Sequence, residues 1–261
     1  MFEQRLISGL AERLREYSGR EPVQTVADRD EMLIERDEQH LEHYFRVGRE
    51  AIELVAEALA LAGRNRVETA LDLPCGYGRV LRHLVSFLAE AHVVGCDIDE
   101  ACLEFCGQTF GVDTVRCADD FGAMSFDAGY DLIWCGSLLT HLPERSFRSL
   151  LALLARSLSE RGVAVATLHG RYSPEVQASR FKYLPDADFE IAERGFRERG
   201  FGFAPYPGQE RFGIALARPS FVLAAVEALE GIRILGYRER AWDDHQDVVV
   251  FGKPPIRLEE S

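Results

Sequence analysis

The sequence predicts an α/β protein: a mostly parallel sheet with helices on both faces. Three observations carry this. Short apolar runs alternate with helical patterns from Val67 to Leu168. The first run ends near Asp72 and passes through Gly76-Tyr77-Gly78 into a helical pattern. That is the strand–turn–helix unit through which α/β proteins bring backbone close to a nucleotide-like ligand. The next run ends in Asp97, the spacing at which an acidic residue meets the ribose of a cofactor.

The elements follow in order. Residues 1–30 are polar and helix-prone, with Leu6, Leu10 and Leu14 at helical spacing and Glu21-Pro22 as an interruption, which reads as a weakly attached N-terminal helical arm. Residues 31–261 are assigned to the main domain. A long helix is expected from Asp28 to Ala62, because Tyr44, Val47, Ala51, Leu54, Val55, Ala58 and Leu59 share one face and Gly63 follows as a cap. Strand Val67–Leu73 leads to helix Gly78–Ala89, and strand His92–Asp97 to helix Glu100–Phe105. Strands Asp113–Cys117 and Tyr130–Cys135, helix Pro143–Leu158 and strand Gly162–Leu168 complete the alternation.

Over residues 170–218 prolines and glycines break the pattern, leaving one helix between Asp186 and Arg199. Segments of this kind are often lids or binding elements. Ser220–Leu229 is helical again. Ile232–Arg238 and Asp247–Phe251 read as strands that the short turn Trp242–Gln246 forces to be antiparallel.

Composition narrows the function. A formal charge of −13 without a Lys/Arg cluster argues against nucleic acid. No apolar run is long enough to span a bilayer. The first residues lack the basic flank and apolar stretch of a signal peptide, so a cytoplasmic protein is expected. The six cysteines, Cys75, Cys96, Cys102, Cys106, Cys117 and Cys135, form no Cys-x-x-Cys pair, and no structural metal is expected.

Taken together, Asp72 to Gly78, Asp97, Asp119 and the strand Asp131 entering the loop to His141 resemble the motifs of the class I S-adenosylmethionine-dependent methyltransferases, in family order. The resemblance covers Val67 to Leu168 by motif and Ser220 to Gly252 by element order. It implies a Rossmann-like fold: a seven-stranded, mostly parallel sheet with an antiparallel last strand and an irregular lid insertion. There are departures. Pro74-Cys75 stands where many members carry Gly or Ala, and the fourth motif lacks the Asn/Asp-Pro-Pro-Tyr pattern of base-amine methylases. The stretches around Phe212–Leu216 and His245–Val249 look like a bacterial subset associated with glycan or small-molecule tailoring.

The resemblance implies a cofactor, S-adenosyl-L-methionine, and a set of contacts. Pro74, Cys75, Gly76 and Gly78 form the turn beside its methionine part. Asp72 holds the ammonium, or is simply a carboxylate near a helix N-terminus. Arg79 pairs with Asp72 or the cofactor carboxylate, or is solvated. Asp97 accepts from both ribose hydroxyls, since a carboxylate offers two acceptor oxygens. Ile98 lies against the adenine. Asp119 accepts from its amino group, with Ala118 or Asp120 supplying backbone contacts, unless Asp119-Asp120 is a loop pair. Ser137 and His141 follow the fourth strand, at the edge where open α/β folds bind ligands. Tyr44 either covers the methionine end or faces the core.

Methyl transfer to a hydroxyl also needs a base. His245, oriented by Asp247 or Asp244, is the sharper candidate and His141 the second; a polar hairpin and a helix start are the plain alternatives. The expected activity is O-methylation of a small-molecule or glycan-like acceptor. An N-methyltransferase, a silent cofactor-binding protein and an NAD-dependent oxidoreductase are the competing readings. The last is weakened because Gly76-x-Gly78-x-x-Leu81 lacks a third glycine. Oligomeric state is not legible.

Overall fold

The computed structural model describes residues 2–127 and 129–253. The end of the 31–261 assignment, residues 254–261, lies outside the described residues, as does the side chain of Leu6. The elements are α1 (Phe2–Ser18), α2 (Glu38–Leu61), β1 (Thr69–Asp72), α3 (Leu81–Phe87), β2 (His92–Asp97), α4 (Glu100–Phe110), β3 (Asp113–Arg116), β4 (Tyr130–Cys135), a 3₁₀ turn (Leu139–His141), α5 (Glu144–Arg156), β5 (Leu158–His169), α6 (Ser173–Ser179), α7 (Asp186–Arg199), β6 (Phe201–Tyr206), β7 (Gln209–Ala217), α8 (Pro219–Glu227), β8 (Arg233–Trp242) and β9 (Gln246–Gly252).

Seven strands form one sheet in the order β3-β2-β1-β4-β5-β9-β8. β1 pairs in parallel with β2 and β4, and β4 with β5. β9 runs antiparallel to both β5 and β8. Every residue of β4 and β9 is buried, as expected for central strands covered on both faces. Two apolar cores lie on either side of the sheet, one built around α5 and α8, the other around α2 and α3. All six cysteines are free and buried.

Among the differences from the sequence reading, three bear on the site. α2 begins at Glu38 rather than Asp28, because Asp37 caps it by accepting a hydrogen bond from the His40 amide at 2.8 Å. The preceding stretch is pinned instead by the buried Arg82, which donates to the carbonyls of Val23 at 2.7 Å and Thr25 at 2.9 Å. α3 begins at Leu81 rather than Gly78, whose φ of 80° is left-handed and cannot be helical. The N-terminal arm, expected to be weakly attached, is docked. Leu10 and Tyr17 are buried, and the Tyr17 hydroxyl bonds Nδ1 of His83 at 2.6 Å.

Residues 170–218 hold more order than the prolines suggested. α7 occupies the predicted span, and β6 and β7 form a two-stranded sheet joined at Pro207-Gly208, with Gly208 at φ 75°. Pro205 sits where the register shifts, a place that tolerates a missing donor. Leu184, Phe189, Ala192, Phe196, Ala204, Ile214 and Leu216 give this insertion its own small core. Each such burial of a large apolar side chain contributes roughly 1.5–3 kcal/mol relative to exposure.

Candidate active site

The carboxyl ends of β1, β2 and β4 and the start of β9 meet at one edge of the sheet. There the chain after β1 turns sharply. Gly76 has φ 49° and Gly78 φ 80°. A Cβ on Gly78 would lie 2.3 Å from the Phe110 ring, whereas nothing lies within 4 Å of one on Gly76, which faces open space. The Gly76 amide donates to one oxygen of Asp97 at 2.8 Å, and the Asp99 amide to the other at 3.0 Å. Each carboxylate oxygen keeps a further lone pair.

Two cavities adjoin here, sharing Pro74, Asp97, Leu138 and Phe212 in their walls. The larger, about 650 Å³, is lined among others by Asp72, Cys75, Gly76, Arg79, Ser137 and His141. The smaller, about 410 Å³, is lined by Ile98, Ala118 and Asp119, with Leu138 and Leu142 opposite. Ile98 is 51% exposed, an apolar side chain presented to a concave surface rather than to the core.

Asp72 is the outstanding charge. It is 1% exposed, and among the described residues neither carboxylate oxygen has a hydrogen-bond partner. Burial, reinforced by the Asp97 carboxylate, holds its pKa well above the ordinary range, against a smaller opposing pull from Arg79. An unpaired buried carboxylate is costly and calls for explanation. Arg79 makes no hydrogen bond or ion pair among the described residues; its guanidinium lies 5.4 Å from the Trp242 ring centroid. Burial lowers its pKa. One cavity wall thus offers a carboxylate lacking a cation and a guanidinium lacking an anion, which is the complement of an amino-acid zwitterion.

His141 stands on the same cavity. Its Nδ1 lies 2.8 Å from the Gly213 carbonyl, and its ring stacks on Phe212 at 4.7 Å between centroids. A carbonyl only accepts, so Nδ1 carries the proton and Nε2 is left as an acceptor. Burial lowers the His141 pKa, against a smaller upward pull from the Gly213 bond.

A sequence model of the family described as "Methyltransferase domain" matches residues 70–162. That stretch is therefore similar to a methyltransferase domain, the family that the motifs resemble. Comparison with curated proteins finds no match. Among solved structures, an S-adenosylmethionine-dependent methyltransferase from Clostridium acetobutylicum ATCC 824 is similar in fold, with 13% identity, 81% of this chain and 92% of that one covered, and a TM-score of 0.54. An O-methyltransferase family protein from Burkholderia thailandensis gives 10%, 97%, 70% and 0.52 for the same quantities. The 1,6-didemethyltoxoflavin-N1-methyltransferase of Burkholderia thailandensis, with 1,6-didemethyltoxoflavin and S-adenosylhomocysteine bound, gives 14%, 80%, 78% and 0.54. No described helix is long and apolar enough to cross a membrane.

Four of the residues singled out in the sequence stand away from these cavities. His245 is buried and lines neither cavity; its Nδ1 faces the Asp243 carbonyl at 2.9 Å. Asp247 does not orient it. Asp247 is fully buried and its oxygens are taken up elsewhere, accepting from the Tyr237 hydroxyl at 2.7 Å and the Arg240 amide at 3.0 Å. Tyr44 is fully buried, and its hydroxyl donates to Asp30 at 2.7 Å. It therefore meets the core, and it is Asp30 that reaches the cavity. Asp120 turns back to accept from the Gly122 amide at 2.8 Å and lines neither cavity.

Other wall residues carried no readable signal. Arg29, Asp30 and Met32 come from the stretch read as helix, and Trp134 from within β4. Phe212 comes from the hairpin, in a stretch that had attracted notice only for its resemblance to tailoring enzymes.

Proposed function

We propose that this methyltransferase methylates a hydroxyl of a small-molecule or glycan-like acceptor, with His141 as the general base. S-adenosylmethionine, when bound, supplies a methyl group already activated by a sulfonium. The residues present fit it. Asp72 would hold its ammonium and Arg79 its carboxylate. Asp97 would accept from the ribose hydroxyls through the lone pairs its backbone bonds leave free. Ile98, Leu138 and Asp119 would surround the adenine. With the donor so activated, alignment is the protein's main task. What remains is the acceptor's proton.

The observation that carries this reading is the state of His141. Gly213 fixes the tautomer, Phe212 fixes the ring plane, and the lowered pKa keeps the imidazole neutral near pH 7. Nε2 would take the hydroxyl proton as the acceptor oxygen replaces sulfur on the methyl carbon and S-adenosylhomocysteine is left.

The test has two parts. Calorimetry should show binding of S-adenosylhomocysteine and none of NAD. Turnover on a panel of hydroxyl and amine acceptors should then fall about 100- to 10,000-fold in His141→Asn, as for loss of a general base, with S-adenosylhomocysteine affinity unchanged. Full turnover in that variant would remove His141 as the base; preferred methylation of amines would replace the hydroxyl acceptor with a nitrogen one.

A further inference from the structure

Ser137 has φ 59°, an uncommon conformation for a residue with a side chain. Such a conformation persists only where its surroundings over-determine it. Here they form a closed ring of hydrogen bonds. The Ser137 amide donates to Oγ1 of Thr167 at 2.8 Å. Oγ1 of Thr167 lies 2.6 Å from Oε1 of Gln246, and Nε2 of Gln246 lies 2.9 Å from Oγ of Ser137. Thr167 is fully buried and Gln246 is 6% exposed. Ser137 lines the larger cavity together with Asp72 and Arg79.

The ring has a direction. A backbone N–H can only donate, so Oγ1 of Thr167 accepts from it and sends its own proton to Gln246. The Gln246 amide must therefore present oxygen to Thr167 and nitrogen to Ser137. Oγ of Ser137 accepts from that nitrogen, and its own proton has no partner within the ring. The side left to it is the cavity.

Resting on the methyltransferase reading, we infer that Ser137 donates this hydrogen bond to the carboxylate of the cofactor's amino-acid tail, and that Thr167 and Gln246 are positioning residues that aim it. β1 and β4 are neighbours, with Asp72 opposite Trp134 in register, so Ser137 follows β4 beside the wall that bears Asp72. Arg79 and Ser137 then donate to the two oxygens of the carboxylate, while Asp72 takes the ammonium. Loss of Thr167 or Gln246 leaves the hydroxyl in place but unaimed.

Calorimetry with two ligands tests this. S-adenosylhomocysteine has the tail; methylthioadenosine shares the adenosyl group and lacks it. Ser137→Gly, which suits the left-handed backbone and removes only the hydroxymethyl group, should weaken S-adenosylhomocysteine roughly tenfold or more, as for a bond to a charged group. Gln246→Leu and Thr167→Val should each weaken it about fivefold, and Thr167→Ser should restore wild-type affinity. Methylthioadenosine affinity should stay at the wild-type value in all of them. Parallel loss for both ligands would make the ring merely structural, and unchanged S-adenosylhomocysteine affinity in Ser137→Gly would remove the donor; either result overturns the inference. A wild-type protein that binds neither ligand would instead overturn the methyltransferase reading itself.

Discussion

The two sides of the cavity are built differently. The side formed by β1, the turn and β2 works through backbone: two glycines at positive φ, amides directed at Asp97, and a carboxylate at the end of each strand. The side formed by the β4 loop, the β6–β7 hairpin and the β8–β9 turn works through side chains from distant segments: His141, Phe212, Trp242 and, from the N-terminal stretch, Met32. The first depends on a local pattern that many sequences share. The second depends on which loops happen to meet. A fixed donor and a variable acceptor call for that division.

Substitutions on each side can break or sharpen this contrast. The largest effect on cofactor affinity is expected from Asp97→Ala. Removing an acceptor for two hydroxyls, each bond to a charged group, should cost about a hundredfold or more. Calorimetry with S-adenosylhomocysteine measures it, with thermal unfolding as a control; unchanged affinity would mean that the ribose lies elsewhere.

The next effect concerns pH. Burial and Asp97 raise the Asp72 pKa, whereas an ammonium ligand favours the ionised carboxylate. Binding should therefore expel a proton. Affinity should rise with pH by at most about tenfold per unit up to the raised value, then level off. Asp72→Asn should lose both the proton release and part of the affinity. Proton release is read by calorimetry in buffers of different ionisation enthalpy.

On the acceptor side, the proposed base His141 would act in its neutral form, and its pKa is lowered. kcat/KM should fall only as pH drops below the ordinary histidine value of about 6.5. In His141→Asn that acid limb should vanish. The smallest effect is expected from His245→Asn: turnover within about twofold of wild type, since substitutions outside a site's contacts rarely do more. A loss on the scale of a missing base would return His245 to the chemistry and undo the contrast.

The same contrast explains what the sequence made legible. Asp72, Gly76, Gly78 and Asp97 could be read because a positive φ and a strand-end carboxylate are local requirements that leave local marks. α7 was readable from its own pattern. The stretch before Glu38 was not: helix-prone residues there are held by Arg82 and Tyr44, partners far along the chain. The β6–β7 hairpin hid behind Pro205 and Pro207, although Pro207-Gly208 is itself a turn signal. His245 and His141 could not be ranked, because both follow plausible strand ends. What separates them is the cavity, which His141 lines and His245 does not reach.

The position of β9 bears on the order in which the molecule becomes competent. This strand is inserted between β5 and β8; it brings Gln246 against Ser137, while the end of β8 beside it sets Trp242 against Trp134. During synthesis the chain emerges from its N-terminus, so the glycine turn and Asp97 are available long before β9 exists. A nascent chain can fold the cradle for the nucleoside while the pocket behind it still lacks a wall. The wall that carries Gln246 and Trp242 is thus the last part of the sheet to be made, and the cavity is closed by the final residues of the fold rather than by its first.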